Sequence, residues 1–441
     1  MSLQFRALIQ LPKRIFYGWW IALSCAAIIG AAAGVSFWSF GVLILPLEKE
    51  FGWPRGQIAG AFSISWMVGG LLSPFVGRAV DHFGARPLIL LGTAATGASF
   101  LLLTTTQTLW QFYALQVFLV FCRSWMFFIP LSALITRWFV RRRSLAMAIF
   151  TCGFPVSGVV FVPVLTFFAN SFGWRETYIF CGLVLWIIVL PLALWVLRSR
   201  PQDRGLMPDG DPRVAPIGSS QERYDLSAAS RHVHQWTVRE TLGTRAFWLM
   251  SVGFGLTFLA QISFSVHSIP FFVSRGIPLE AAAGLVSASN ALVVLLRIPY
   301  GSLVDRTPDT RRLALLALST QFLSFSVVLF SVDAPALWAF VLFQGLTGSG
   351  MPLIESSFVF RTFGDRHYGA LLGTLGLVET AGTLLGPVLA GVIFDTTGSY
   401  TFALSMFLGT SIMAFLCFVF FRPPRPRVTP GQSMTGLSAA P

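Results

Sequence analysis

Gly77-Arg-Ala-Val-Asp81 and Gly301-Ser-Leu-Val-Asp305 carry the same Gly-x-x-x-Asp pattern, 224 residues apart. Each copy stands where a long apolar stretch runs into a short basic loop. The offset holds elsewhere. Gly52 matches Gly276, Pro54 matches Pro278, Gly60 matches Gly284, Phe139 matches Phe363 and Gly158 matches Gly382. Pro163-Val164-Leu165 returns as Pro387-Val388-Leu389. A single glycine or proline coincidence means little in so biased a chain, but a constant offset across separate regions marks an internal duplication. Two related halves sharing a helix-end device predict a machine whose halves rock against each other.

The composition says where that machine sits. Of 441 residues, 55% are hydrophobic and only 11% are charged, which excludes an ordinary soluble protein. Apolar runs long enough to span a bilayer recur at 17–46, 56–78, 87–105, 109–136, 144–169, 176–198, 246–274, 281–302, 313–332, 336–361, 369–394 and 401–421. Segments apolar on all sides must satisfy their backbone groups internally, so they are expected to be helices. The expected fold class is an all-α integral membrane protein with twelve transmembrane helices in two pseudo-symmetric six-helix bundles. The bundles are expected at 1–198 and 245–422. Between them, 199–244 is rich in Pro, Asp, Arg and Ser, lacks apolar periodicity, and reads as a linker; 423–441 reads as a disordered tail.

The net charge of +13 is a matter of orientation and not of nucleic acid. Of 31 Lys and Arg, Lys49, Arg55, Arg175 and Arg275 lie in one set of loops, and Arg123 and Arg297 lie inside spans. The other 25 crowd the opposite set of loops, the linker and the termini, which the positive-inside rule assigns to the cytoplasm. Both termini are then cytoplasmic, in a cell (inner or plasma) membrane, with membrane lipid as a partner. The five cysteines all fall within spans without a Cys-x-x-Cys, and read as packing residues with neither disulfide nor metal role.

Within Gly-x-x-x-Asp, the glycine and the aspartate share a helix face, and the glycine admits a close neighbouring helix. Asp81 and Asp305 sit at helix C-termini, where the macrodipole disfavours an anion, so each needs a partner. Arg86 or the facing helix N-terminus is the candidate for Asp81; Arg306 or Arg311 is the candidate for Asp305. Gly77, Asp81, Arg86, Gly301, Asp305 and Arg306 therefore form a candidate gate, making and breaking charge contacts as the halves rock. A static helix-end salt bridge is the other reading.

The first copy, running on through His82, Gly84 and Arg86, resembles the Gly-x-x-x-Asp-Arg-x-Gly-Arg loop of the major facilitator superfamily. His82 replaces the usual arginine, and Arg86 stands one position late. The resemblance implies the major facilitator fold, two bundles around a central cavity. A narrower likeness is to its monocarboxylate transporter and oxalate/formate exchanger branch. Tyr17-Gly18-Trp19 opens helix 1 as in that branch. Trp138-Phe139-Val-Arg141-Arg142-Arg143-Ser-Leu145-Ala146 is similar to its signature before helix 5. Arg297-Ile-Pro299, ahead of Gly301, resembles its substrate-binding arginine. The branch's exchangers carry a lysine in helix 11 where this chain has Glu379, which speaks against dicarboxylate exchange. Gly158 to Pro163 does not match the helix-5 signature of drug antiporters.

Polar residues inside spans are the candidate sites, because a central charge costs on the order of 2.5–3.5 kcal/mol on insertion scales. Arg123, with Gln116 on the same face and Leu119-x-x-x-Arg123 resembling the superfamily's helix-4 arginine motif, suits either a cavity or an interhelix ion pair. Arg297 lies close enough to a helix end to snorkel. Its family likeness, with Asn290 one heptad earlier, favours bidentate carboxylate binding. Glu379 and Glu355 either neutralise the arginines or carry protons. His267 is a further candidate substrate residue or simply a hydrogen-bonded packing group. Trp38 and Trp66 are expected to line the cavity.

The expected function is secondary active transport of a small organic anion, a monocarboxylate, by proton-coupled alternating access, in a monomer that needs no cofactor or metal. The branch leaves a requirement for an accessory subunit open. The alternatives are drug or metabolite efflux by proton antiport, and a membrane sensor of the same fold signalling through the linker. No His-Glu-x-x-His, Ser/His/Asp or phosphate-loop pattern points to an enzyme, and His232-x-His234 lies in the linker.

Overall fold

A computed structural model describes residues 16–139, 142–207, 236–307, 309–364 and 368–424. Among them twelve helices are long and apolar enough to cross a membrane. They are α1 (Tyr17–Phe51), α2 (Arg55–Phe83), α3 (Ala85–Leu103), α4 (Leu109–Trp138), α5 (Arg143–Ser171) and α6 (Trp174–Trp195), followed by α7 (Arg245–Ser274), α8 (Leu279–Arg306), α9 (Thr310–Phe330), α10 (Ala334–Phe363), α11 (Tyr368–Thr397) and α12 (Thr401–Val419). Each expected apolar run has its helix. The two sets of six face each other through α2 on α11 and α5 on α8, so the bundle seam is made of helices two and five of each half.

The duplication recurs in space. Gly52 and Gly276 end α1 and α7 with φ of 66° and 83°, a conformation that only glycine adopts without strain. Pro54 and Pro278 then open α2 and α8, each without a side-chain cap of its own. At the opposite end of the bundles, the end from which the linker leaves, arginines close the helix C-termini. Arg137 donates to the Val80 carbonyl at 3.5 Å, and Arg361 donates to the Val304 carbonyl at 2.9 Å. Donors and acceptors both keep the 224-residue spacing. Arg86 donates to Leu194 O at 2.7 Å on α6, and Arg311 donates to Phe418 O at 2.8 Å on α12. Terminal carbonyls have no partner in their own helix, and a cation there also suits the dipole.

Arg86 and Arg311 are spent on the carbonyls of α6 and α12, and Arg306 is exposed. The side chains of Asp81 and Asp305 lie outside the described residues. Nor do the two glycines admit a close helix. A Cβ at Gly77 would meet nothing within 4 Å, and one at Gly301 only the tip of Leu353 at 3.8 Å. A close approach lies elsewhere, between α2 and α11: a Cβ on Gly391 of α11 would stand 2.6 Å from the Cα of Gly56 on α2.

The chain leaving α6 is held to the N-terminal bundle by two aromatic residues of the branch-like motifs. The Tyr17 hydroxyl donates to Val196 O at 2.8 Å, and the Trp138 indole donates to Arg198 O at 3.0 Å. The Arg204 guanidinium covers the Tyr17 ring at 4.3 Å. Residues 208–235, including His232 and His234, and the tail 425–441 lie outside the described residues. The described cysteines are all free.

A charge-assisted hydrogen bond to an end carbonyl contributes about 1.5–3 kcal/mol. Arg311→Gln is therefore expected to lower the apparent melting temperature of the detergent-solubilised protein by about 2–5 °C. Arg312→Gln, which removes an exposed pair with Asp309, is expected to change it by less than about 1 °C.

Candidate functional site

Between the bundles lies a cavity of about 610 Å³, lined by α1, α2, α4 and α5 from one half and α7, α8, α10 and α11 from the other. Nine of its lining residues are aromatic, and two, Arg123 and Arg297, are cations, one from each half.

Local irregularities in the helices position the first cation. α1 contains a π-helical turn at Gly34–Trp38, and such a turn rotates the side chains after it relative to those before. It brings Phe37 and Trp38 into the cavity wall and Ser36 to 3.5 Å from the Arg123 guanidinium. α4 is broken directly after Arg123. Its first segment ends at Ser124 and its second begins at Phe128, with Phe127 extended between them. The break packs on α3 at Gly92, where a Cβ would sit 2.9 Å from the Met126 nitrogen. Arg123 thus stands at a helix end in mid-span, its guanidinium 4.6 Å from the centre of the Phe127 ring. Its Nε is buried without a partner, and no carboxylate pairs with it among the described residues. Gln116 joins Arg123 and Ser36 around a small adjoining void of about 20 Å³.

Arg297, on α8, lines the same cavity and also lacks a carboxylate or hydrogen-bond partner among the described residues; its electrostatic neighbour is the Cys152 thiol of α5. Asn290 lies on the α8 face against the other bundle. A Cβ on Gly158 of α5 would be 2.6 Å from the Asn290 amide carbon and 2.8 Å from the Trp38 ring, so Gly158 lets residues of both halves meet. Across this contact the Ser287 hydroxyl donates to Gly158 O at 3.3 Å. The Trp38 indole N–H donates to Ser157 at 3.0 Å, which leaves its ring to face the cavity as an apolar surface. Trp66 completes that wall, 6.4 Å from Phe37 between ring centres.

The remaining polar lining looks inward to its own helices. Ser73, Ser124, Thr151, Ser265, Ser268, Ser289 and Thr380 each donate to a carbonyl three or four residues earlier. Asn290 donates to Val286 O at 2.9 Å. Free donors are thereby concentrated in the two guanidiniums and the amides of Gln261 and Gln344.

Glu355 and Glu379 do not reach the arginines. They interact with each other, α10 against α11, just behind the cavity wall to which Pro352 and Thr380 belong. His267 is likewise absent from the cavity. It is buried with both ring nitrogens engaged, Nδ1 with the Tyr400 hydroxyl at 3.1 Å and Nε2 with Pro387 O at 2.9 Å.

That histidine belongs to a seal at the end of the bundles away from the linker, which the sequence reading did not anticipate. Pro54 cannot cap α2, and the two free N–H groups of Arg55 and Gly56 instead donate to the Asp395 carboxylate of α11, at 2.9 and 2.7 Å. The Arg55 side chain donates to Glu48 at 2.8 Å and to Tyr400 at 3.2 Å, and covers the Phe394 ring at 3.8 Å. A carboxylate of one half thus caps a helix of the other. Toward the linker, a Cβ at Gly70 or Gly77 of α2, or at Gly373 or Gly376 of α11, would meet nothing within 4 Å.

Comparison with known proteins agrees with this architecture. The Major Facilitator Superfamily model matches residues 26–351 and 280–440. Monocarboxylate transporter 13 of Bos taurus is 28% identical over 390 residues, covering 87% of this chain and 84% of that one. Monocarboxylate transporter 11 of Homo sapiens is 26% identical over 425 residues, covering 93% and 83%. Among solved structures, a bacterial homologue of the human lysosomal transporter Spinster, crystallised inward-facing and occupied, has a similar fold. Its TM-score is 0.66 at 14% identity, over 90% of this chain and 95% of that one.

An anionic cap at a helix N-terminus contributes up to about 2 kcal/mol. Asp395→Ala is therefore expected to reduce the ratio of closed to open far ends about tenfold. Spin labels at positions 57 and 396, both exposed, report it as growth of a longer-distance population. An unchanged distance distribution would remove Asp395 from the seal.

Proposed function

This chain belongs to the Major Facilitator Superfamily, in a branch resembling the monocarboxylate transporters, and we propose that it carries an organic monocarboxylate across the membrane together with protons, by alternating access. The observation that carries this reading is the pair of guanidiniums, one from each half, lining one cavity without a carboxylate partner among the described residues. An unpaired cation in low-dielectric surroundings is costly, and an anionic ligand offsets that cost. A planar guanidinium suits a carboxylate in particular, because two parallel N–H groups meet two oxygens. An anion bridging Arg123 and Arg297 pulls the halves together, which is the step that closes the cavity before release.

The similar monocarboxylate transporters 13 and 11 speak for the same cargo class. By the positive-inside rule the linker end is cytoplasmic. The arrangement with Asp395 closed on α2 is then the inward-open state, and the Arg55–Tyr400–His267 cluster seals the outer face. Glu355 and Glu379 serve as the proton site. A contact between two carboxyls is attractive when they share a proton and repulsive when both are charged, so proton loss loosens α10 from α11. Thr380 and Pro352, which line the cavity beside this pair, connect proton occupancy to the wall that the ligand touches.

In proteoliposomes, Arg297→Lys is expected to reduce carboxylate uptake at least about tenfold, since it keeps the charge but loses the planar fork. Uptake equal to that of the unaltered protein would sink the assignment. Glu379→Gln is expected to abolish accumulation driven by a pH gradient while carboxylate counterflow continues. Accumulation that survives the change would place the proton elsewhere.

A further inference from the structure

The cavity is built for more than a carboxylate. Its seven hydroxyls are occupied with their own helices, so it offers few donors to a sugar, a polyol or another cargo that is polar all round. Strong donors are confined to the two guanidiniums. Nine of the other lining residues are aromatic. Phe37 meets Trp38 edge-on with ring centres 5.0 Å apart, and meets Phe154 at 5.2 Å, which makes a continuous apolar face beside Arg123. The volume of about 610 Å³ corresponds to roughly twenty waters and lies in the range of pockets for drug-sized ligands. A three-carbon acid would leave most of that aromatic surface wet.

We propose that the cargo is a monocarboxylate bearing an aromatic body, its head on Arg123 and Arg297 and its ring against Phe37, Trp38 and Phe154. The assignment rests on the carboxylate reading above and adds the body to the head. A ring in this position displaces water from apolar surface, which favours it over a short chain by several-fold for each carbon buried. It also meets aromatic edges at the spacing that aromatic pairs prefer.

Isothermal titration of the purified full-length protein with phenylacetate, propionate and phenylacetamide separates head from body. Propionate keeps the head without the ring, and phenylacetamide keeps the ring without the charge. Phenylacetate is expected to bind at least about tenfold more tightly than either. In Phe154→Ala the ratio of phenylacetate to propionate affinity is expected to narrow several-fold. Propionate binding as tightly as phenylacetate would overturn the aromatic body and leave the carboxylate reading intact. Phenylacetamide binding as tightly as phenylacetate would overturn the carboxylate reading itself. No saturable binding of phenylacetate would overturn the proposal, whichever way propionate behaves.

Discussion

Two guanidiniums that line an apolar cavity without a carboxylate partner among the described residues are the constraint around which the structure is arranged. Such groups cost several kcal/mol each in low-dielectric surroundings, so a chain that retains two must gain something from them. The surrounding irregularities are consistent with that. The π-helical turn of α1 carries Ser36 and Trp38 toward Arg123, and the break in α4 ends a helix beside that cation. Gly158 removes the side chain that would otherwise separate Trp38 from Asn290. These three features lie where side chains turn toward the cavity.

A second constraint acts on the helix ends. Terminal backbone groups need partners, and this chain meets the need in two ways. At the linker end Arg86, Arg137, Arg311 and Arg361 cap C-terminal carbonyls within their own halves, in near-symmetric positions. These contacts consolidate each bundle and survive any rocking of one against the other. At the far end Asp395 caps α2 across the seam. The residue 224 positions earlier is Ser171, and the pseudo-equivalent place is crossed instead by the Asn170 amide of α5, which donates to Glu280 of α8 at 2.6 Å. Both contacts cross the seam and hold the two halves to each other at this end.

The sequence reading foresaw the spans, the duplication and several cavity residues, and the reasons are local. A bilayer requires long apolar helices, and a constant offset needs no coordinates. Arg123, Arg297, Asn290, Trp38 and Trp66 were recognisable because polar or amphipathic residues inside spans are few, and all five line the cavity. The arginine caps were within reach as well. Arg137 and Arg361 stand at the same offset as the glycines, but loop arginines read first as orientation signals. The pairing of Glu355 with Glu379 was out of reach, because it depends on the rotation of α10 against α11. So was the placement of His267, since burial between Tyr400 and Pro387 follows from how α7, α11 and the start of α12 converge.

What the sequence determined by itself was the number of helices, their duplication and the set of charges that had to be buried, because chain length, hydropathy and repeat spacing are properties of the chain in order. What the tertiary structure decided was which of those charges face one another. Arginine from each half opens on a common cavity, acid meets acid behind its wall, and Asp395 reaches a helix 340 residues away. The physical reason is that an apolar helix in a membrane buries similarly well at many rotations about its axis. Only packing against its neighbours at small residues, π turns and breaks fixes where its few polar groups point.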